Sequence, residues 1–338
     1  MRQEQENPYS SILFYYDVYP QAIEDHGKIK RISTPRGDFA LKETTMTPLQ
    51  ADEFVQAMRM LSKHNYHQVI PIIPTKYGEY TISTDSHTYY LMPWVEPVEY
   101  LGRESQEEKL IAQMAIVHRV TVQTQKFSKE TIEKSYNRLL SHWELRRLEL
   151  SRFADLAEAK TYMSPFELSF ITHSYMLDQM AERAEYHLEK WYEICLEKEK
   201  YRTVLCHGRL SRSHSIINME NEPLLINFER ASLDTPARDI AGFCRYSFPK
   251  AMWSEEEVLK WFFRYEKHLP LLDEEKHLLC AYLNFPEPIV FAVEAYVQKK
   301  RAKSEIEHVQ RLEKRLLSMR KVQRLTQKLI VEQEQEQQ

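Results

Sequence analysis

A chain of 338 residues with 43% hydrophobic content can fill a large core, as one domain or as two lobes. Its 46 Lys and Arg nearly balance 50 Asp and Glu, and a net charge of -4 gives no reason to expect a nucleic-acid partner. Four Cys at 195, 206, 244 and 280 form neither a C-x-x-C pair nor a metal-ligand spacing. With no apolar signal core and no apolar run of membrane-spanning length, the expectation is free buried thiols, cytoplasmic synthesis and no membrane insertion.

In chain order, alternating runs from Lys28 to Ser33 and from Asp38 to Glu43 flank Pro35-Arg36-Gly37 and predict a β-hairpin. Thr47 as cap and Pro48 in the first turn open a helix to about His64, with Phe54, Met58 and Leu61 on its apolar face. Val69 to Ile73, Glu79 to Ser83 and Thr88 to Met92 are three further strand candidates, which gives a five-stranded antiparallel sheet carrying one helix. From Ser105 to Lys200 the pattern has helical period, interrupted near Lys126-Phe127-Ser128 and at Ser164-Pro165. Short strands around Leu205 and Ile226 precede a second helical region from Trp253 onward, broken near Pro270 and at Pro286 and Pro288. Residues 332–338, a Glu/Gln run, are too polar to pack and are expected to fray.

Chemistry-bearing residues concentrate between Val204 and Asp239. The segment reads Cys206-His207-Gly208-Arg209-Leu210, then Ser213-His214-Ser215, Leu225-Ile226-Asn227-Phe228-Glu229 and Asp234-Thr235-Pro236-Ala237-Arg238-Asp239. Phosphotransferases of the kinase fold place a catalytic Asp, a metal-binding Asn and a metal-binding Asp at three points of such a frame. Here those points hold Arg209, His214 and Asn227.

This frame resembles the aminoglycoside phosphotransferase and choline kinase branch of the kinase fold. Within it the chain is similar to the spore-coat-associated kinase-like family, that of the coat protein CotS. Phe39-Ala40-Leu41-Lys42-Glu43, Tyr89-Tyr90-Leu91-Met92-Pro93-Trp94, Ala115-Ile116-Val117-His118 and Ala281-Tyr282-Leu283-Asn284-Phe285-Pro286 follow in family order. The resemblance implies an α+β, two-lobed kinase-like fold: a β-rich lobe over residues 1–95 and a helical lobe over 96–298. A basic amphipathic helix over 299–330 and a polar tail over 331–338 would follow. It also implies a setting in sporulation, with synthesis in the mother cell, association with the spore coat and other coat proteins as partners.

Under the same resemblance Lys42 takes the position that pairs nucleotide phosphates, Glu53 on the following helix is its expected acidic partner beside Asp52, and Trp94 falls where an adenine would lie or where the lobes join. His207 and Asp239 would brace the loop. The substitutions argue against catalysis. Arg209 removes the group that accepts the hydroxyl proton, a contribution of roughly 10²–10⁴ in rate. Asn227 lacks a carboxylate's charge, and His214 prefers softer metals than magnesium. Arg209 about 5 Å from a divalent ion would add on the order of 6 kcal/mol of repulsion at an effective dielectric near 20. A bound metal or other cofactor is therefore not expected.

Two alternatives stay open. Glu229 and Asp234 could serve as displaced ligands in a weak ATP- and magnesium-dependent small-molecule kinase, or Lys42, Arg209, Arg212 and Arg230 could form a metal-free pocket for an anionic small molecule. Glycine, at only six residues, supplies no phosphate-cradling loop. Residues 299–328 carry a charge of +8 against -12 for the rest, and Val309, Leu312, Leu316, Met319, Val322, Leu325 and Leu329 form an apolar stripe. That helix can dock on its own acidic body or on another protein.

Overall fold

Thr47 accepts a hydrogen bond from the Gln50 amide while the Gln50 side chain accepts one from the Thr47 amide. With Pro48 in the first turn, this closed cap starts the helix that carries one face of the sheet. A computed structural model describes residues 8–249, 253–298 and 304–336, with the backbone alone for 330–336. The chain divides into two compact units, Met1–Gln113 with Leu205–Leu233, and Met114–Val204 with Asp234–Gln338. The stretch 1–95 lies within the first unit.

In the first unit a short helix α1 (Ser10–Tyr15) precedes strands β1 (Ala22–His26), β2 (Ile29–Thr34) and β3 (Gly37–Thr44). Helix α2 (Pro48–Lys63) and strands β4 (Ile82–Ser83) and β5 (Thr88–Pro93) follow. The sheet order is β1-β2-β3-β5-β4, with every neighbouring pair antiparallel. The predicted hairpin is β2–β3, with Thr34 opposite Gly37, whose φ of 116° a side chain resists. Phe54, Met58 and Leu61 are buried on α2 as expected.

The count of five antiparallel strands matches expectation, but the membership differs. Val69 to Ile73 is not a strand: Pro71 cannot donate to a ladder, and only isolated bridges form, Val69 with Leu225 and Ile73 with Leu91. Its place is taken by β1, Ala-Ile-Glu-Asp-His, an edge strand too polar and exposed to be read as one.

The second unit is mainly helical. Helix α3 (Gln106–Val120) carries the chain into it, followed by β6 (Gln123–Lys126), α4 (Lys129–Glu158), α5 (Pro165–Leu196) and β7 (Lys200–Cys206), which pairs antiparallel with β6. Ser128 caps α4, and Ser164 forms a capping box with Glu167 on α5, so both predicted breaks are helix starts. Helices α6 (Pro236–Ser247), α7 (Glu255–Glu266), α8 (Asp273–Asn284), α9 (Glu287–Val297) and α10 (Glu305–Glu336) complete it. Trp143 stacks on Phe285 and Phe166 on Tyr296 in its core. The stretch Asp273–Val297 has the length and composition of a membrane span. It is two helices, broken after Asn284, and 72% of its most apolar window is buried inside the protein. All four cysteines are buried, and none is in a disulfide.

Of the basic C-terminal helix, residues 299–303 lie outside the described residues, as do 337–338 of the polar tail; the helical backbone continues to Glu336, through most of the run expected to fray. Leu312, Leu316, Met319, Val322 and Leu325 are buried, against α5, α7, α8 and α9. Arg324 pairs with the mostly covered Glu255 and Lys328 with the exposed Glu256, but both cations are exposed and the pairs contribute little. Apolar contact therefore holds this helix to its own unit. Leu316→Ala should cost about 2–5 kcal/mol in urea unfolding, whereas Lys328→Ala should stay within about 0.5 kcal/mol.

Helices α5 and α8 meet at an unusual pair: His187 Nδ1 and His277 Nδ1 lie 3.0 Å apart, the first side chain buried. Burial, helped by the charges of His277 and Arg183, pushes His187 down to about 4, and burial also lowers His277. A histidine depressed on folding adds stability that is complete above its unfolded pKa near 6.5 and is lost as pH falls toward 4. Between pH 7 and 5 the native protein should lose roughly 2 kcal/mol more than His187→Leu, measured as the difference in their urea midpoints multiplied by the slope.

Candidate functional site

Lys42 is placed by register. It lies in β3 opposite Ile29 on one side and Tyr90 on the other, and only 7% of it is exposed. Its Nζ is 2.7 Å from Glu229 Oε1 and also donates to Asn227 Oδ1. Tyr90, across the strand pair and packed against Phe54 of α2, donates its hydroxyl to the same Glu229 carboxylate at 2.8 Å. The ring of Tyr90 also lies 5.7 Å from the Lys42 ammonium. Burial lowers the Lys42 pKa, and the adjacent Glu229 charge works against that shift. Burial, then Glu229, raises Tyr90 well above the usual phenol. Four side chains thus form a closed cluster, with one ammonium and one carboxylate satisfying each other.

The opposing residues reach Lys42 through a small hairpin. Strand β8 (Ser215–Ile217) pairs with β9 (Pro223–Leu225), and the Ile226 amide donates to the His214 carbonyl. Asn218 closes the turn by accepting from the Glu220 and Glu222 amides. The Leu225 amide and carbonyl bond to Gln68 and Ile70, in the segment after α2. Val98 and Leu101 bond to Ile217 and Asn221, Lys109 pairs with Glu222, and the buried Glu107 takes the Arg212 guanidinium in a fork. These bonds explain why Leu205–Leu233 folds with the N-terminal unit.

Asn227 follows β9 with φ 68° and ψ 46°, a left-handed conformation that Asn tolerates better than most residues. A 3₁₀ turn, Phe228–Arg230, then presents Glu229. Around it, His207 Nε2 donates to the Ile226 carbonyl at 2.9 Å and the Arg209 amide donates to His207 Nδ1 at 3.3 Å, which leaves the ring neutral. His214 Nδ1 donates to the Arg209 carbonyl, and its ring stacks on His207 with 5.8 Å between centroids. Burial lowers the His214 pKa, the Arg209 carbonyl works against this, and the charges of Arg209 and Lys42 add to the lowering. His207 thus bonds both the strand end at Ile226 and the loop amide of Arg209.

Several expected positions are placed differently. Glu53 is exposed on α2 and is not the partner of Lys42; Glu229 is. Trp94 bonds Glu96 and is approached by His26 of β1 and by Arg31 of β2, 5.0 Å from its ring, so side chains of these two strands occupy its face. Asp239, in α6 of the second unit, is bonded to His118 at 3.1 Å, and His118 in turn to the Tyr265 hydroxyl at 2.7 Å, all buried. The pattern is satisfied when His118 donates to Asp239 and accepts from Tyr265. Arg209 and Arg230 are exposed. Of the four cations considered for an anion pocket, Lys42 and Arg212 are committed to carboxylates. Sequence reasoning missed Tyr90, although its place opposite Lys42 follows once β3 and β5 are paired.

The group such a fold handles is magnesium with a nucleotide, and these residues do not fit the metal. The Asn227 oxygen that would face it already accepts from an ammonium. His214 offers a nitrogen, and Arg209 supplies no carboxylate.

A family profile described as "Spore coat putative kinase YutH" matches residues 10–329. The chain belongs to this family. Among solved structures it is similar to an aminoglycoside phosphotransferase from Alicyclobacillus acidocaldarius, with a TM-score of 0.78 at 17% identity over 96% of this chain and 95% of that one. A microcompartment-associated aminopropanol kinase gives 0.59 at 12% over 94% and 97%. A spectinomycin phosphotransferase in complex with ADP and spectinomycin gives 0.58 at 13% over 91% and 95%. These likenesses establish the aminoglycoside phosphotransferase and choline kinase-like fold, with its antiparallel sheet and larger helical part.

Gly208 leaves this spore-coat kinase family member no room for a side chain. At φ 77° an added Cβ would sit 2.4 Å from the Arg230 carbonyl oxygen, whereas at Gly27, with φ 75°, it would meet nothing within 4 Å. Gly27→Ala should cost about 1–2 kcal/mol from backbone strain alone, and Gly208→Ala about 1–3 kcal/mol more, as compared by urea unfolding.

Proposed function

We propose that this protein is a catalytically degenerate kinase-like component of the endospore coat, which acts by binding other coat proteins rather than by phosphotransfer. The observation that carries the reading is the closed cluster of Lys42, Glu229, Asn227 and Tyr90. In kinases the lysine in that position contacts nucleotide phosphates while it pairs with a glutamate of the following helix, so the phosphates use the N–H groups that the pair leaves over. Here Glu229 neutralises it and Asn227 takes a further N–H. Arg209 and His214 stand where the fold would use a base and a metal ligand, and the His214 nitrogen nearest the loop is spent on the Arg209 carbonyl. The family supports the coat setting, with synthesis in the mother cell and residence at the coat. The solved relatives that bind nucleotides support only the frame.

Purified protein should show no magnesium-dependent rise in melting temperature with ATP, and no product above a heat-killed control with amino alcohols, sugars or peptides. The triple change Arg209→Asp, His214→Asn, Asn227→Asp restores two carboxylates and an Asn at the spacing the fold uses. It should gain a magnesium-dependent shift with ATP of a few degrees. Saturable turnover by the native chain that Asn227→Ala abolishes would refute the reading.

A further inference from the structure

A second recess in the first unit has no part in the Lys42 cluster. It is a cavity of about 620 Å³ formed by the C-terminal turns of α2, the segment after it and Tyr80. Met58, Tyr66 and Ile72 are buried and give it an apolar floor, with the Tyr66 hydroxyl already bonded to Gln113 at 2.8 Å. Its polar rim carries two cations, Arg59 and Lys63, beside His67, and no acidic residue lines it. Arg59 lies flat over the Tyr80 ring at 5.2 Å, and among the described residues no carboxylate pairs with Arg59 or Lys63.

An exposed aromatic surface continues from it. Tyr16 donates to the Tyr80 carbonyl, and beside Tyr16 the rings of Phe14, Tyr15 and Tyr77 are 54%, 39% and 66% exposed. Lys76 is 3.2 Å from the Phe14 ring centroid and 5.3 Å from that of Tyr77. Asp17 and Glu79 adjoin Tyr16 and Tyr80 in sequence. Exposed aromatics with unneutralised cations around an apolar recess are the composition of an interaction hot spot. The complementary ligand is a segment with bulky aliphatic side chains followed by several carboxylates.

This chain carries such a segment. Beyond Leu325 and Thr326, the last buried residues of α10 among those described, the sequence reads Leu329-Ile330-Val331 and then places Glu at 332, 334 and 336 with Gln between. We infer that the Leu329–Glu336 segment of one copy docks on the Arg59, Lys63 and Tyr80 recess of a second copy. The two surfaces are different patches of the same chain, so the contact is heterologous and repeats from copy to copy into a ring or an open chain. Its charged part is exposed, so it weakens with salt, while the aliphatic residues fill the floor.

Two charge-reversed full-length variants test this by sedimentation velocity at rising concentration. One is Arg59→Glu with Lys63→Glu; the other is Glu332→Lys, Glu334→Lys and Glu336→Lys. The native chain should associate, and each variant alone should do so at least about tenfold more weakly. An equimolar mixture of the two should form a 1:1 complex, because the intact acidic segment of the first variant meets the intact recess of the second. Arg59→Ala with Lys63→Ala, a milder change at the same recess, should weaken native association in the same direction, and melting curves confirm that each variant is folded. A native chain that stays monomeric overturns the inference, which includes the case in which the segment occupies the recess of its own copy. So do variants that associate as the native chain does, or that fail to complement when mixed.

Discussion

The ion pair between Lys42 and Glu229 is the constraint on which the first unit turns. It joins the middle of the sheet to the residue that follows the β8–β9 hairpin, so two stretches far apart in sequence meet at one buried charge. Breaking such a pair leaves an ion in a low-dielectric site, which is far more harmful than never having had it. The Tyr90 hydroxyl and the Asn227 carbonyl complete the coordination of both partners. The backbone bonds of Leu225 and the fork from Glu107 to Arg212 are arranged around that point. The lysine's charge is thus engaged within the fold by Glu229, and a further N–H by Asn227.

The second unit is organised differently. Its cohesion is apolar, from the stacked rings of Trp143 and Phe285 to the buried stripe of α10, and its buried polar groups sit in small closed sets such as His118, Asp239 and Tyr265. The strong charge contrast between residues 299–328 and the remainder suggested that attraction could hold the helix. The pairs that the exposed Arg324 and Lys328 make with Glu255 and Glu256 do not amount to that.

Much of the fold was legible because local signals agreed with one another. Thr47-Pro48 and Ser164-Pro165 carry cap and first-turn proline together, and Pro35-Arg36-Gly37 supplies the one turn that the β2–β3 hairpin needs. Two failures have plain causes. Val69 to Ile73 is apolar and β-branched enough to look like a strand, yet its proline forbids the ladder, while β1 is a strand in spite of its charges because an edge needs only one partner. At the site, the one-dimensional frame located Asn227, His214 and Arg209, since their spacing is local. The partner of Lys42 was not local: Glu53 was nearer in sequence, and only tertiary pairing brings Glu229 to it.

The left-handed backbone at Asn227 explains how such a site can lose its metal without losing its shape. Asp and Asn are the two ordinary residues that most readily hold that conformation, so exchanging one for the other leaves the turn into Phe228 unstrained. In the absence of a cation, an Asp there would set a second carboxylate beside Glu229 with one ammonium to share, and Asn removes that repulsion. Once selection for metal binding relaxes, the substitution is therefore neutral or favourable for folding. A lineage can drift through it with the frame intact. With Asn at this turn, the side chain that accepts from Lys42 carries no charge for a cation to offset.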